Sequence, residues 1–98
     1  MLVYIDRDFE SIVPNYLSHI VNQLEQIEVY LGNKQYKDVE RVALLIRDSA
    51  RNYGFLKAGH MASKISFYCK YQSDENIEEV IKAVRLYFEK CNIQYVDI

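Results

Sequence analysis

The chain has few of the residues that build phosphate loops, zinc sites or disulfide frameworks, with three glycines and two cysteines. It also has one proline and no tryptophan. Gly32, Gly54 and Gly59 have neither the GxGxxG nor the GxxxxGK spacing of a phosphate-binding loop. Cys69 and Cys91 form no CxxC motif and have no histidine at metal-ligand spacing. We therefore expect two reduced thiols in the core, no cofactor and no metal site.

Long apolar runs and a strong excess of one charge are also absent. No apolar run approaches the roughly 18 residues needed to cross a bilayer. The first ten residues, MLVYIDRDFE, carry acids where a secretory signal would carry bases, so we expect a cytoplasmic protein. The net charge is −2 and the bases are scattered, which argues against an electrostatic nucleic-acid binder. Residues 1–98 are long enough for one domain with one core.

Apolar residues recur at helical spacing in four stretches that are separated by short polar breaks. They predict helices over residues 14–31, 37–53, 55–71 and about 73–91. Four amphipathic helices joined by short loops predict an all-α fold, an antiparallel up-down four-helix bundle.

The two ends of the chain carry weaker signals. The segment DRDFESIV (residues 6–13) is expected to add a short extra N-terminal helical turn that places Phe9, Ile12 and Val13 over the end of the bundle. The tail NIQYVDI (residues 92–98) alternates apolar and polar residues, a pattern that favours a short extended segment.

The stretch LLIRDSARNYGF (residues 44–55) sets aliphatic side chains directly beside charges. At about 100° per residue, the buried stripe of the second helix centres between Val39 and Ile46. Leu45 lies about 100° from that centre, on a flank that a neighbouring helix would half-cover. Leu44 lies about 160° away, so it is the leucine predicted to be exposed.

Charged residues surround this predicted exposed leucine. Asp48 lies one turn beyond Leu44 on the same outer line, Arg51 is close by, and Arg47 borders the line on its flank. Isolated exposed leucines are common on protein surfaces. Periodicity alone therefore assigns Leu44 no function.

The same stretch, however, follows without a gap the approximate pattern H-x-L-K-G-S-x-x-x-x-G-F, and VPNYL (residues 13–17) and AGHMASKI (residues 58–65) fall in the same register. On these residues the chain, from about 8 to 91, resembles the histidine-containing phosphotransfer (HPt) domains of bacterial multistep phosphorelays. The resemblance implies a four-helix bundle whose second helix bears an exposed histidine. In that family the histidine accepts a phosphoryl group from the aspartate of a receiver domain and passes it on.

Two departures from the family pattern fall on the reactive position. Leu44 stands where the family has its phosphohistidine, and an aliphatic side chain cannot accept phosphate. Asp48 replaces the glycine that leaves room for the receiver, and it adds negative charge toward an acidic pocket. The resemblance therefore implies a pseudo-HPt: a non-catalytic binding module, not an enzyme, that docks a receiver domain or a histidine kinase. Its expected partner-binding residues are Leu44, Arg47, Asp48 and Arg51.

Two alternatives stay open at this point. The first is an active phosphotransfer protein that uses His60, predicted to be exposed on the third helix, or less plausibly His19. The second is a structural homodimer formed through Leu44 and nearby tyrosines. Tyr53 and Tyr87 are expected in the core or at its edge. The tyrosines expected to be partly exposed are Tyr16, Tyr30, Tyr36, Tyr68 and Tyr71.

Overall fold

The computed structural model describes residues 1–98 and is mostly helical, with four α-helices and two short β-strands. The strands are β1 (Leu2–Asp6) and β2 (Asn92–Val96), and the helices are α1 (Val13–Gly32), α2 (Tyr36–Tyr53), α3 (Leu56–Cys69) and α4 (Asp74–Lys90). All four predicted helices are present, and their ends differ by only one or two residues from the predicted ends. The molecule is elongated, with extents of 42 × 20 × 19 Å.

The helices bury their apolar stripes against one another, as a helical bundle does. α1 packs against α2, α2 against α3 and α3 against α4, whereas α1 and α4 are in looser contact. The largest fully buried helical side chains are Val13, Ile20, Leu24, Ile27, Val39, Val42, Ile46, Ile65, Ile77 and Ile81. None of the four helices has the combination of length and apolar character that a membrane span requires.

The turn between α2 and α3 is fixed by a glycine. Gly54 ends α2 in the left-handed conformation, with φ of 99°, which a residue with a Cβ adopts only at a cost. The amide of Phe55 then donates to the carbonyl of Ala50 at 2.8 Å. This turn directs Phe55 into the core, where its side chain is 0% exposed and its ring centroid lies 5.2 Å from that of Phe88.

A two-stranded parallel sheet is the main departure from the predicted all-α fold. Val3 pairs with Ile93 and Ile5 pairs with Tyr95. Val3 and Ile5 are buried in the core, and Ile93 and Tyr95 pack against it. The extended tail was predicted, but its partner was not. Each strand is too short to be stable alone, so only the pairing of segments 90 positions apart makes them strands.

The predicted N-terminal helical turn is present in shortened form, as a 3-10 helix at Arg7–Phe9. Phe9 is half-buried, with its ring centroid 5.1 Å from that of Tyr53. Val13 is buried as expected, but Ile12 is 41% exposed and does not cover the core. Two of the three expected apolar contacts therefore form, one from Phe9 in the short turn and one from Val13 at the start of α1.

Both cysteines are free thiols, as the sequence predicts. Burial raises the pKa of Cys69 to about 11, so its thiol stays protonated at neutral pH. Burial also raises the pKa of the half-buried Cys91 thiol. Neither thiol is therefore an activated nucleophile.

Substitution of Gly54 by alanine is expected to destabilise the protein. A Cβ at this position would adopt the left-handed conformation, which costs about 1–2 kcal/mol, and it would lie 3.2 Å from Ile5 Cδ1. Gly32→Ala is the matched control, because Gly32 lies at the end of α1 with nothing within 4 Å of an added Cβ. Urea denaturation should show a lower free energy of unfolding for Gly54→Ala and an unchanged one for Gly32→Ala. Equal effects of the two substitutions would contradict the assigned role of the turn.

Candidate functional site on the second helix

The structure reverses the expected exposures of the two adjacent leucines on α2. Leu45 is 51% exposed, whereas Leu44 is half-buried. The prediction that Leu44 is the exposed leucine was therefore wrong. The reason is that α3 covers one flank of α2 more closely than the hydrophobic stripe alone indicates.

α3 packs on the flank of α2 that carries Glu40, Arg47 and Arg51. Ser66 Oγ of α3 donates to Glu40 Oε2 at 3.1 Å. Gly59 of α3 lies so close that an added Cβ would be 2.9 Å from Arg51 Cγ and 3.2 Å from the carbonyl oxygen of Arg47. The missing side chain of Gly59 is what permits this approach.

Helix geometry places Leu44 on this same flank. At about 100° per residue it lies within about 60° of Glu40, Arg47 and Arg51 around the helix axis, whereas Leu45 lies at least about 120° from all three. α3 therefore half-covers Leu44 and leaves Leu45 in solvent. Gly59 and Ala62 signal a close helix contact in the sequence, but they do not tell which flank of α2 receives it.

An ion pair between sequence neighbours lies one turn beyond Leu44. Arg47 Nε donates to Asp48 Oδ1 at 2.8 Å, with the Arg47 side chain 32% and the Asp48 side chain 61% exposed. The hydrogen bond from Arg47 lowers the pKa of the Asp48 carboxyl, and Arg51 adds to this effect. Asp48 is consequently ionised at neutral pH and presents its charge to solvent.

The four predicted site residues therefore lie together, but not as an exposed leucine ringed by charge. Leu44 is a half-buried apolar spot at the α2–α3 seam, the Arg47–Asp48 pair lies beyond it, and Arg51 is exposed with its stem against Gly59. Leu44 itself has no atom that can accept a proton or a phosphoryl group.

Sequence reasoning missed a polar contact that ties α1 to this part of α2. The hydroxyl oxygens of Tyr16 and Ser49 are 2.9 Å apart, and Tyr16 is buried, although it was predicted to be partly exposed. Ser49 Oγ also donates to the carbonyl of Ile46 at 3.2 Å, so Tyr16 is the donor to Ser49. Burial raises the pKa of Tyr16 to about 12, which keeps this donor protonated.

The remaining tyrosines largely follow the expectation. Tyr87 is buried and Tyr53 is half-buried, which places both at the core or its edge. Tyr71 is exposed. The half-buried tyrosines of the partly exposed group are Tyr30, Tyr36 and Tyr68.

Neither histidine belongs to the α2 site. His19 lies on α1 and His60 on α3, and both are exposed as predicted. No group of three or more His, Cys, Asp or Glu side chains is arranged to hold a metal ion. Comparisons of the chain with models of protein families, with curated proteins and with solved structures give no match.

The Tyr16–Ser49 hydrogen bond is expected to contribute about 1 kcal/mol to the free energy of unfolding, as is usual for a partly buried bond between hydroxyls. A double-mutant cycle of Tyr16→Phe and Ser49→Ala, followed by urea denaturation, measures this coupling. Tyr53→Phe combined with Ser49→Ala is the control cycle, because the Tyr53 hydroxyl forms no hydrogen bond with Ser49. Coupling near zero in the first cycle would contradict the contact.

Proposed function

We propose that the chain is an HPt-like bundle that has lost phosphotransfer: a non-catalytic module of two-component signalling that docks a receiver domain or a histidine kinase without accepting phosphate. The observation that carries this proposal is the identity of Leu44. In the HPt register this position on α2 is that of the reactive histidine, and a hydrocarbon side chain has no nitrogen lone pair to receive a phosphoryl group. The four packed helices of the structure support a bundle of the HPt type around this position.

An antiparallel up-down order of the four helices belongs to this proposal, and contacts between opposite helix ends support it. Tyr16, near the start of α1, has its ring centroid 4.4 Å from that of Tyr53 at the end of α2. Phe55, just before α3, is 5.2 Å from Phe88 near the end of α4 by the same measure. Gly54, between Tyr53 and Phe55, ends α2 in the left-handed conformation. This supports the match of the YGF segment to the helix end of the HPt pattern.

The electrostatics of the site favour docking without transfer. Arg47 and Arg51 supply positive charge for the acidic pocket of a receiver, as the lysine of the HPt pattern does. Ionised Asp48 opposes that attraction where the pattern has an uncharged glycine. The proposed complex is therefore oriented by the arginines and limited in affinity by Asp48.

The proposal predicts that Leu44→Asp and Arg47→Ala each weaken binding to the cognate domain by about tenfold or more, because loss of an anchor residue at the centre of an interface costs about 2 kcal/mol or more and a tenfold change in affinity corresponds to ~1.4 kcal/mol. Asp48→Asn is expected to tighten binding to a receiver, since it removes a repulsive charge. Isothermal titration calorimetry against purified receiver domains and histidine-kinase dimerisation domains of the source organism measures all three effects.

Leu45→Asp is the matched control for these binding measurements. Leu45 is the next residue, is already 51% exposed and lies on the other flank of α2. The proposal requires the Leu45→Asp variant to bind the cognate domain with the affinity of the wild type. A loss of the same size in Leu45→Asp and Leu44→Asp would mean that the bound surface is not the one proposed.

Phosphotransfer itself gives a second test. Incubation with a phosphorylated receiver should leave the wild type without acid-labile, base-stable label, whereas Leu44→His combined with Asp48→Gly should gain such label from some receiver. Wild-type label that disappears in His60→Ala would establish the active phosphotransfer alternative and overturn the proposal. A folded double variant that stays unlabelled by a broad panel of receivers would contradict the HPt-like ancestry of the site.

A further inference from the structure

The β-sheet leaves backbone hydrogen-bonding groups of β2 unused. The Asn92 amide donates to the Met1 carbonyl at the first rung of the ladder. In a parallel ladder only every second residue of a strand bonds to a given neighbour, so Asn92 and the alternate residues after it turn their N–H and C=O groups toward β1. Ile93 and Tyr95 therefore turn theirs away from β1.

Most of these outward groups have no partner. Arg7 Nη2 donates to the Tyr95 carbonyl at 3.2 Å. No backbone hydrogen bond outside the β1–β2 ladder involves Ile93 or Tyr95. The N–H and C=O of Ile93 and the N–H of Tyr95 are thus unpaired. Such a row is a template for a further strand, because an extended backbone offers donors and acceptors at the matching spacing.

The other edge of the sheet is covered by the chain itself. Tyr4 of β1 turns its backbone groups away from β2, by the same alternation. A Cβ added to Gly54 would lie 3.5 Å from the Tyr4 carbonyl oxygen, so the turn between α2 and α3 packs against the outer side of β1. This leaves β2 as the more open edge.

β2 has none of the features with which natural proteins protect an exposed edge. Between Asn92 and Val96 there is no proline, no lysine and no other charged side chain. The strand pairs with β1 residue by residue along its whole length, so no bulge bends it away from a further strand. Both the backbone and the composition of β2 are therefore suited to strand addition.

We propose that the added strand is β2 of a second copy of the chain, paired antiparallel about a two-fold axis perpendicular to the sheet. The axis passes between Gln94 and the partner's Gln94. The two small sheets then join into one continuous sheet of strand order β1-β2-β2-β1, with the helices of both copies on the same face. The interface is isologous, so every contact occurs twice.

The register centred on Gln94 pairs the whole of β2. Ile93 faces the partner's Tyr95, and each donates its N–H to the carbonyl of the other, as in a hydrogen-bonded antiparallel pair. Asn92 faces the partner's Val96 at the ends of the strand. The Tyr95 carbonyl has two lone pairs, so it accepts from the partner's Ile93 while it keeps its bond from Arg7.

The side chains in this register are also compatible. Ile93 and Tyr95 are half-buried against the core of their own copy, and the pairing sets each beside an apolar side chain of the partner. On the outer face the Gln94 amide, which both donates and accepts, meets the same amide. No like charges oppose each other, since β2 has none. This self-complementarity favours a second copy over an extended segment of another protein.

Removal of one outward N–H provides the first test, with sedimentation velocity measured over a range of concentrations. The wild type is expected to dimerise. Ile93→Pro should raise the dimer dissociation constant by about tenfold or more, because it removes a donor from both copies. The Ile93 N–H lies outside the β1–β2 ladder, and proline is tolerated where an edge N–H faces solvent, so the variant should fold. Ile93→Val is the matched control, since it keeps the N–H, and should dimerise like the wild type.

Disulfide cross-linking tests the register without proline. Non-hydrogen-bonded residues of an antiparallel pair have Cα atoms about 4.5 Å apart, which a disulfide can span. In a Cys69→Ala/Cys91→Ser background, oxidation with copper–phenanthroline should therefore link Gln94→Cys to its copy in the partner. Asn92→Cys is the control, because its copy in the partner lies about 13 Å away along the strand. It should stay unlinked.

The proposed interface contains no residue of the α2 site, so it does not rest on the proposed function. Leu44→Asp should leave dimerisation unchanged, and loss of the dimer in this variant would assign the interface to α2 and overturn the inference. Circular dichroism verifies that each variant is folded. Three further results would also overturn it: a monomeric wild type at every concentration, a folded Ile93→Pro variant that dimerises as tightly as the wild type, or equal cross-linking of Asn92→Cys and Gln94→Cys.

Discussion

The close approach of α2 and α3 at Gly59 is the constraint on which the α2 site depends. Because Gly59 has no side chain, the backbone of α2 at Arg47 and the stem of Arg51 lie directly against α3. The approach half-covers Leu44 and leaves Leu45 in solvent. One missing side chain thereby shapes the α2 site.

The sequence predicts the helices well because their apolar stripes are long, regular and ended by local signals such as Gly54. It fails where a non-local partner decides the outcome. The two strands carry only weak signals until they meet. Tyr16 is buried because its ring packs against those of Tyr53 and Phe55 while Ser49 of α2 accepts a hydrogen bond from its hydroxyl, and no local pattern in the sequence indicates these contacts.

The candidate site was predicted as a set of residues but not as a surface. Helical projection brings Leu44, Arg47, Asp48 and Arg51 together, and the structure keeps them together. Projection from the buried stripe treats both flanks of a helix as equivalent, however, and α2 has one tight and one open flank. The half-burial of Leu44 follows from the neighbouring α3, which a projection of α2 alone does not contain.

The parallel pairing of β1 with β2 has a mechanical consequence. In a parallel pair the start of one strand and the end of the other lie at opposite ends of the ribbon, and here the Asn92 amide donates to the Met1 carbonyl at the first rung. Tension applied through the two termini therefore loads the inter-strand hydrogen bonds in shear, all at once, instead of opening them one after another. The small sheet thus resists force applied through the termini before that force reaches the helices.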